Sequence, residues 1–163
     1  MMINAQFDKS KKLSLTNLYF NRFLAIRYST AFLLFLNLYW AVFLLGSKSY
    51  TAILPITLFI LGTLTAFEQV KLYRNHDNFL PFAKLFFQMM LLMCGVLVIT
   101  LYTSLFHLFF PFLKDSQPVL NTIMGLLIGS GVMAFLMLKR LAKIQRNEDK
   151  HFKRIQAYEE IIN

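Results

Sequence analysis

Four stretches of this chain contain no Asp, Glu, Lys or Arg: 20 residues from Tyr28 to Ser47, 19 from Ser49 to Phe67, 29 from Leu85 to Leu113 and 23 from Ser116 to Leu138. Their lengths constrain the fold more than any other feature, because a bilayer core about 30 Å thick is crossed by about 20 helical residues rising 1.5 Å each. The runs are continuously apolar rather than alternating, which argues against an outer-membrane barrel and for helices that satisfy their own backbone groups. The expected fold is an all-α integral membrane protein with transmembrane helices at about 28–47, 49–67, 85–106 and 116–138. Only Lys48 separates the first two runs, and only Lys114 and Asp115 the last two, so the four pair as two helical hairpins.

Charge supplies the orientation. Of 17 basic residues, 15 fall in residues 1–27, in the loop carrying Lys71, Arg74 and Lys84, or in residues 139–163. Lys48 and Lys114 alone fall on the other side. Basic residues in short loops stay cytoplasmic, so both termini are expected inside. The net charge of +9 is then a topology signal, and with no nucleic-acid reader motif beside it a nucleic-acid partner is not expected. At 57% hydrophobic and 15% charged, the composition also excludes a disordered chain and a soluble enzyme. No small-residue cleavage site follows the first run, which is expected to remain as a span.

The segments outside the runs carry secondary expectations. Ser14, Asn17 and Asn21 share a helical face, which suits an interfacial helix within the cytoplasmic segment 1–27. The third run is too long for the bilayer, and a break is expected near Phe110 or Pro111 with the aromatics in the outer interface; a longer tilted helix is the alternative. Pro55 is expected to kink the second span. Residues 139–163 lack Pro and Gly, so the fourth span is expected to continue as one basic cytoplasmic helix, with Lys139, Arg140, Lys143 and Arg146 drawn to anionic headgroups. Its heptad seam, Leu141, Glu148, Ile155 and Ile162 beside Ile144, His151 and Tyr158, is polar in the middle and favours a coiled coil less than lipid attraction. Asp149 and Lys153 have the spacing of a helical ion pair.

Chemistry is sparse. No Asp, Glu, Lys or Arg lies within the runs, where proton-coupled transport would place a carboxylate, and Glu68 reads as a boundary residue or half of an ion pair. Cys94 is the only cysteine, which excludes an intramolecular disulfide and the zinc spacings. Nucleophile elbows, metalloprotease helices and phosphate loops are missing, and no cofactor is expected. His76 beside Asp77 reads as a solvated turn, and His107 as a lone boundary histidine without a nearby carboxylate. Neutral polar residues in the spans, among them Asn37, Gln88 and Asn121, are expected to join helices, and a path lined by Asn37 and Gln88 is a less favoured reading. The densest local pattern is Gly125, Gly129, Ser130 and Ala134 in the fourth run, a small-residue set that lets a helix approach closely, from the same chain or from a second subunit.

The opening NLYFNRFLAIRYSTAFLLFLNLYW, from Asn17 to Trp40, and the closing HFKRIQAYEEIIN resemble small four-span membrane proteins of low-GC Gram-positive bacteria. Some of these carry the label of a cellobiose phosphotransferase IIA subunit, which is a soluble bundle phosphorylated on a histidine, whereas this chain is mostly membrane. The resemblance implies a bacterial plasma membrane. The functional expectation is a non-enzymatic protein acting by helix association with itself or another membrane protein, as an accessory, regulatory or immunity-type subunit. A small holin-like pore former or exporter is the alternative.

Overall fold

A computed structural model describes residues 17–72 and 79–162. Residues 17–22 are helical and a turn at Phe23 separates them from α1, Leu24–Gly46. A 3-10 turn, Tyr50–Ala52, leads into α2, Ile53–Lys71; then come α3, Pro81–Thr100, the single turn α4, Phe106–Phe109, the long α5, Gln117–Gln145, and α6, Lys150–Ile162. No strand occurs among the described residues. Four of these helices are long and apolar enough to cross a membrane. α1 packs chiefly on α2 and α3 on α5, and the two pairs are joined by α2 against α3 and α1 against α5.

The bundle is apolar outside as well as inside. Phe32, Phe35, Ile60, Leu92, Ile99 and Val132 are exposed around its circumference, while Thr30, Asn37, Thr65 and Ser130 are buried. Hydrocarbon solvates the exposed apolar surface as well as another helix does, so burial here selects close-fitting side chains; Thr30, Asn37 and Thr65 are hydrogen-bonded, whereas Ser130 Oγ is buried with no partner among the described residues. Thr65 returns its hydroxyl to Leu61 C=O at 2.9 Å, and Asn37 donates to Leu33 C=O at 2.7 Å. The tightest internal approach is at Gly62 of α2: a Cβ built there would stand 3.1 Å from Phe86 Cε2 and 3.4 Å from Leu34 Cδ1.

Helix ends explain where the structure departs from the sequence reading. α1 ends with Ser49 N–H donating to Leu44 C=O and Lys48 N–H to Leu45 C=O, a Schellman closure that puts Lys48 at φ 52°. α5 ends the same way, Glu148 N–H to Lys143 C=O and Asn147 N–H to Ile144 C=O, with Asn147 at φ 57°. The fourth span therefore does not run on as one helix: it stops at Gln145, and α6 is a separate element. The heptad seam is cut by this break, and Leu141, Ile144 and Ile155 are buried in the chain's own interior.

Pro55 falls in the first turn of α2, where its missing N–H would have had no intrahelical acceptor, so the expected cause of a kink is absent. α3 begins at Pro81, before Lys84, and ends at Thr100, ten residues before the break at Phe110. Hydroxyls compete with the helix there: Thr100 Oγ1 donates to Leu97 C=O and Thr103 Oγ1 to Thr100 C=O, both at 2.9 Å. Phe110, the residue before Pro111, stands outside the helical region at φ −134°, ψ 54° and ends α4. The aromatics after α3 do not simply line an interface. Phe106 and Phe110 are buried, Phe110 stacks on Trp40 at 5.9 Å and Phe112 on Phe43 at 5.1 Å, and Trp40 Nε1 donates to Phe109 C=O at 3.2 Å.

Candidate functional site

The end of the bundle that carries most of the basic residues is built around Arg22, whose side chain has no exposed surface. Arg22 Nε donates to both carboxylate oxygens of Asp149 at 3.0 Å, and Nη2 donates to Asp149 Oδ1, to Ile144 C=O at 3.0 Å and to Asn147 Oδ1 at 3.0 Å. The Phe152 ring lies 4.9 Å from the guanidinium carbon. Three adjacent residue types make this receptor: Asn147 in the left-handed turn ends α5, Glu148 closes it, and Asp149 accepts from Phe152 N–H at 3.2 Å at the start of α6. Burial alone would raise the Asp149 pKa, but hydrogen bonding and charge from Arg22 outweigh it and hold the carboxyl below its ordinary value. Asp149 is thus committed to Arg22 across 127 residues rather than to Lys153 in its own helix. The sequence reading missed this pair. Its local signal is Asn-Glu-Asp directly after a basic helical turn, a helix stop followed by an N-cap.

The four residues expected at headgroups separate. Lys139, Lys143 and Arg146 are exposed, whereas Arg140 is half-buried and donates to Arg22 C=O at 3.3 Å, so it supports the Arg22 turn. Lys139 Nζ also lies 4.5 Å from the Phe135 ring centroid. Between the end of α5 and α6, Lys139, Arg140 and Lys143, with Lys150, His151 and Lys153, line a groove of about 600 Å³ that also holds Glu148 and Asp149, whereas Arg146 lies outside it. Burial and the charges of Arg140 and Arg154 lower the His151 pKa.

The small-residue set of α5 separates too. Ser130 and Ala134 are buried, and Gly131 lies 3.6 Å from Cys94 Cβ by its would-be side chain, whereas Gly125 and Gly129 are exposed with nothing within 4 Å of a built Cβ. Four such residues cannot form one face, because 125 and 129 lie a full turn apart and 130 is rotated by about 100° from 129. Asn121, four residues before Gly125, is also exposed.

Glu68 caps a helix, and it forms no ion pair among the described residues. Its carboxylate accepts from Ala83 N–H at 2.9 Å and Phe82 N–H at 3.3 Å, capping the start of α3 from the end of α2. His107 stands 4.0 Å from Asp115, a carboxylate contact the linear sequence did not reveal. Asn37 and Gln88 are not brought together: Asn37 is buried, 3.5 Å from Met90 Sδ, and Gln88 is exposed. Ser14, His76 and Asp77 lie outside the described residues.

Among the cavities that border the long helices, two are lined by α1. One of about 330 Å³ is enclosed by α1, α3, α5 and the segment after α4, with Asn37, Trp40, Cys94 and Ser130 in its wall. The other, about 740 Å³, lies between α1 and α2 near the basic end and is lined by Arg27, Thr30, Leu34, Gln69 and Lys71 among others.

These features define the chain as a helical protein with four helices long and apolar enough to cross a membrane. Comparison with protein-family models, curated proteins and solved structures finds no match. Function is therefore argued from the arrangement of side chains.

Proposed function

We propose that this is a non-enzymatic, multi-pass protein of a bacterial plasma membrane, with both termini cytoplasmic, that acts by lateral helix association as a subunit of a membrane complex. One observation carries the reading: Gly125 and Gly129 form an open shallow track on the lipid side of α5, unused by the chain's own helices. Small residues at this spacing admit a neighbouring backbone to close range. Asn121 on the same side adds an amide that a neighbouring helix can satisfy, at about 0.6–2 kcal/mol. The orientation rests on the bias of basic residues toward one end.

The test is particle mass in mild detergent, by light scattering, for the wild type and for Gly125→Leu with Gly129→Leu. The wild type is expected as a defined homo-oligomer or with a stoichiometric membrane partner, and the double variant as a lone chain that keeps its helical content. A monomeric, partner-free wild type refutes the proposal, as does assembly that survives both substitutions. Solute leak from liposomes holding the wild type would replace it with the pore-forming alternative.

A further inference from the structure

The larger cavity has the two chemical halves of a lipid. Its wall between α1 and α2 is almost wholly apolar, with Leu34 and Ala66 on its two sides, and it is open rather than enclosed. Arg27 closes it at the basic end. The Arg27 guanidinium lies 3.5 Å over the Phe20 ring, Nη2 donates to Gln69 C=O at 3.3 Å, and Nη1 is buried without an acceptor among the described residues. Gln69 is held in turn, Nε2 donating to Thr30 Oγ1 at 2.9 Å and Thr30 Oγ1 to Ile26 C=O at 2.8 Å. Lys71 adds a second positive charge at the mouth.

The contrast with Arg22 is informative. Arg22 is neutralised by Asp149, whereas no carboxylate among the described residues lies within 4.0 Å of Arg27. A permanently charged, half-buried guanidinium with one unused donor beside an apolar groove favours an anion, and phosphate suits its fork. Basic pockets between membrane helices are met by anionic headgroups in this way. A groove walled by hydrocarbon beside that charge selects an anion that carries its own acyl chain.

We propose that the α1–α2 groove binds one anionic phospholipid from the leaflet at the basic end, its phosphate on Arg27 and an acyl chain along Leu34 and Ala66. This site is distinct from Lys139, Lys143 and Arg146, which are exposed at the end of α5.

Native mass spectrometry of the detergent-purified protein, titrated with phosphatidylglycerol or with phosphatidylcholine of the same chains, reads the site. One phosphatidylglycerol is expected to be retained in preference to phosphatidylcholine. Arg27→Gln should weaken it about tenfold or more, the loss of a charge-assisted hydrogen-bonding partner. Ala66→Phe, which leaves every charge in place and fills the groove, should weaken it comparably, and Lys143→Gln less than twofold. Inorganic phosphate in large excess should leave the lipid bound. Equal retention of the two lipids overturns the assignment. So does an effect of Lys143→Gln as large as that of Arg27→Gln, unchanged binding by a folded Ala66→Phe, or release of the lipid by phosphate alone.

Discussion

Asp149→Ala removes the carboxylate from a guanidinium that has no exposed surface and leaves it two described acceptors, Ile144 C=O and Asn147 Oδ1. Deleting one partner of a buried ion pair costs about 3–5 kcal/mol. The surviving acceptors and the 10% exposure of the Asp149 side chain place this case at the lower end, about 3 kcal/mol. The loss falls on the docking of α6, because Asp149 both binds Arg22 and accepts from Phe152 N–H at the start of that helix. At 1.4 kcal/mol per tenfold, amides of residues 150–160 should exchange hydrogen about a hundredfold faster, while the centres of α1, α3 and α5 keep their rates. Arg22→Met combined with Asp149→Leu should restore most of the protection, since an apolar pair of similar size avoids burying charge.

Acid should act through the same carboxyl. Its pKa is lowered in the folded protein, so its stabilisation is complete above the unfolded value of about 3.9 and disappears as pH falls through the folded value. Protection of α6 from this pair should accordingly hold at pH 5 and fall below about pH 4, and the Asp149→Asn protein should lose that step. Exchange in 150–160 that is unchanged by Asp149→Ala, or accelerated equally in every helix, would refute the idea that this pair holds α6 to the bundle.

Three further outcomes follow from the helix contacts. Gly62→Val should lower stability by about 1–3 kcal/mol in a detergent melt, since its added atoms meet Phe86 and Leu34, whereas Gly125→Leu should stay within about 0.5 kcal/mol. Glu68→Ala should cost about 1 kcal/mol and speed exchange in the first turn of α3, whose N–H groups it caps. Lys48→Gly should raise the melting temperature by the equivalent of about 1 kcal/mol, because Lys48 holds φ 52° where glycine has no Cβ penalty.

The hydrophobic runs identify the spans without any knowledge of their neighbours, because crossing hydrocarbon demands length and internal backbone hydrogen bonding, both properties of a contiguous segment. Charge distribution supports an orientation for the same local reason. Proline marked the stop at Phe110 that ends the single turn α4, but not the end of α3 at Thr100, where threonine hydroxyls compete with the helix. Contacts between distant segments were not legible. Nothing in the periodicity around Arg22 or Asp149 pairs them, and only the chain reversal at Asn147 brings α6 back to the start of α1. Glu68 could be read as a boundary residue from sequence, but its role as a cap requires the α2–α3 juxtaposition. Glycine spacing marked α5 as able to pack closely, yet the close internal approach occurs at Gly62, and Gly125 and Gly129 are left open. Hydrocarbon accepts any apolar face equally, so hydropathy assigns a helix to the membrane while saying little about which side meets a neighbour. That choice depends on side-chain shape and paired polar groups, which the tertiary arrangement alone supplies.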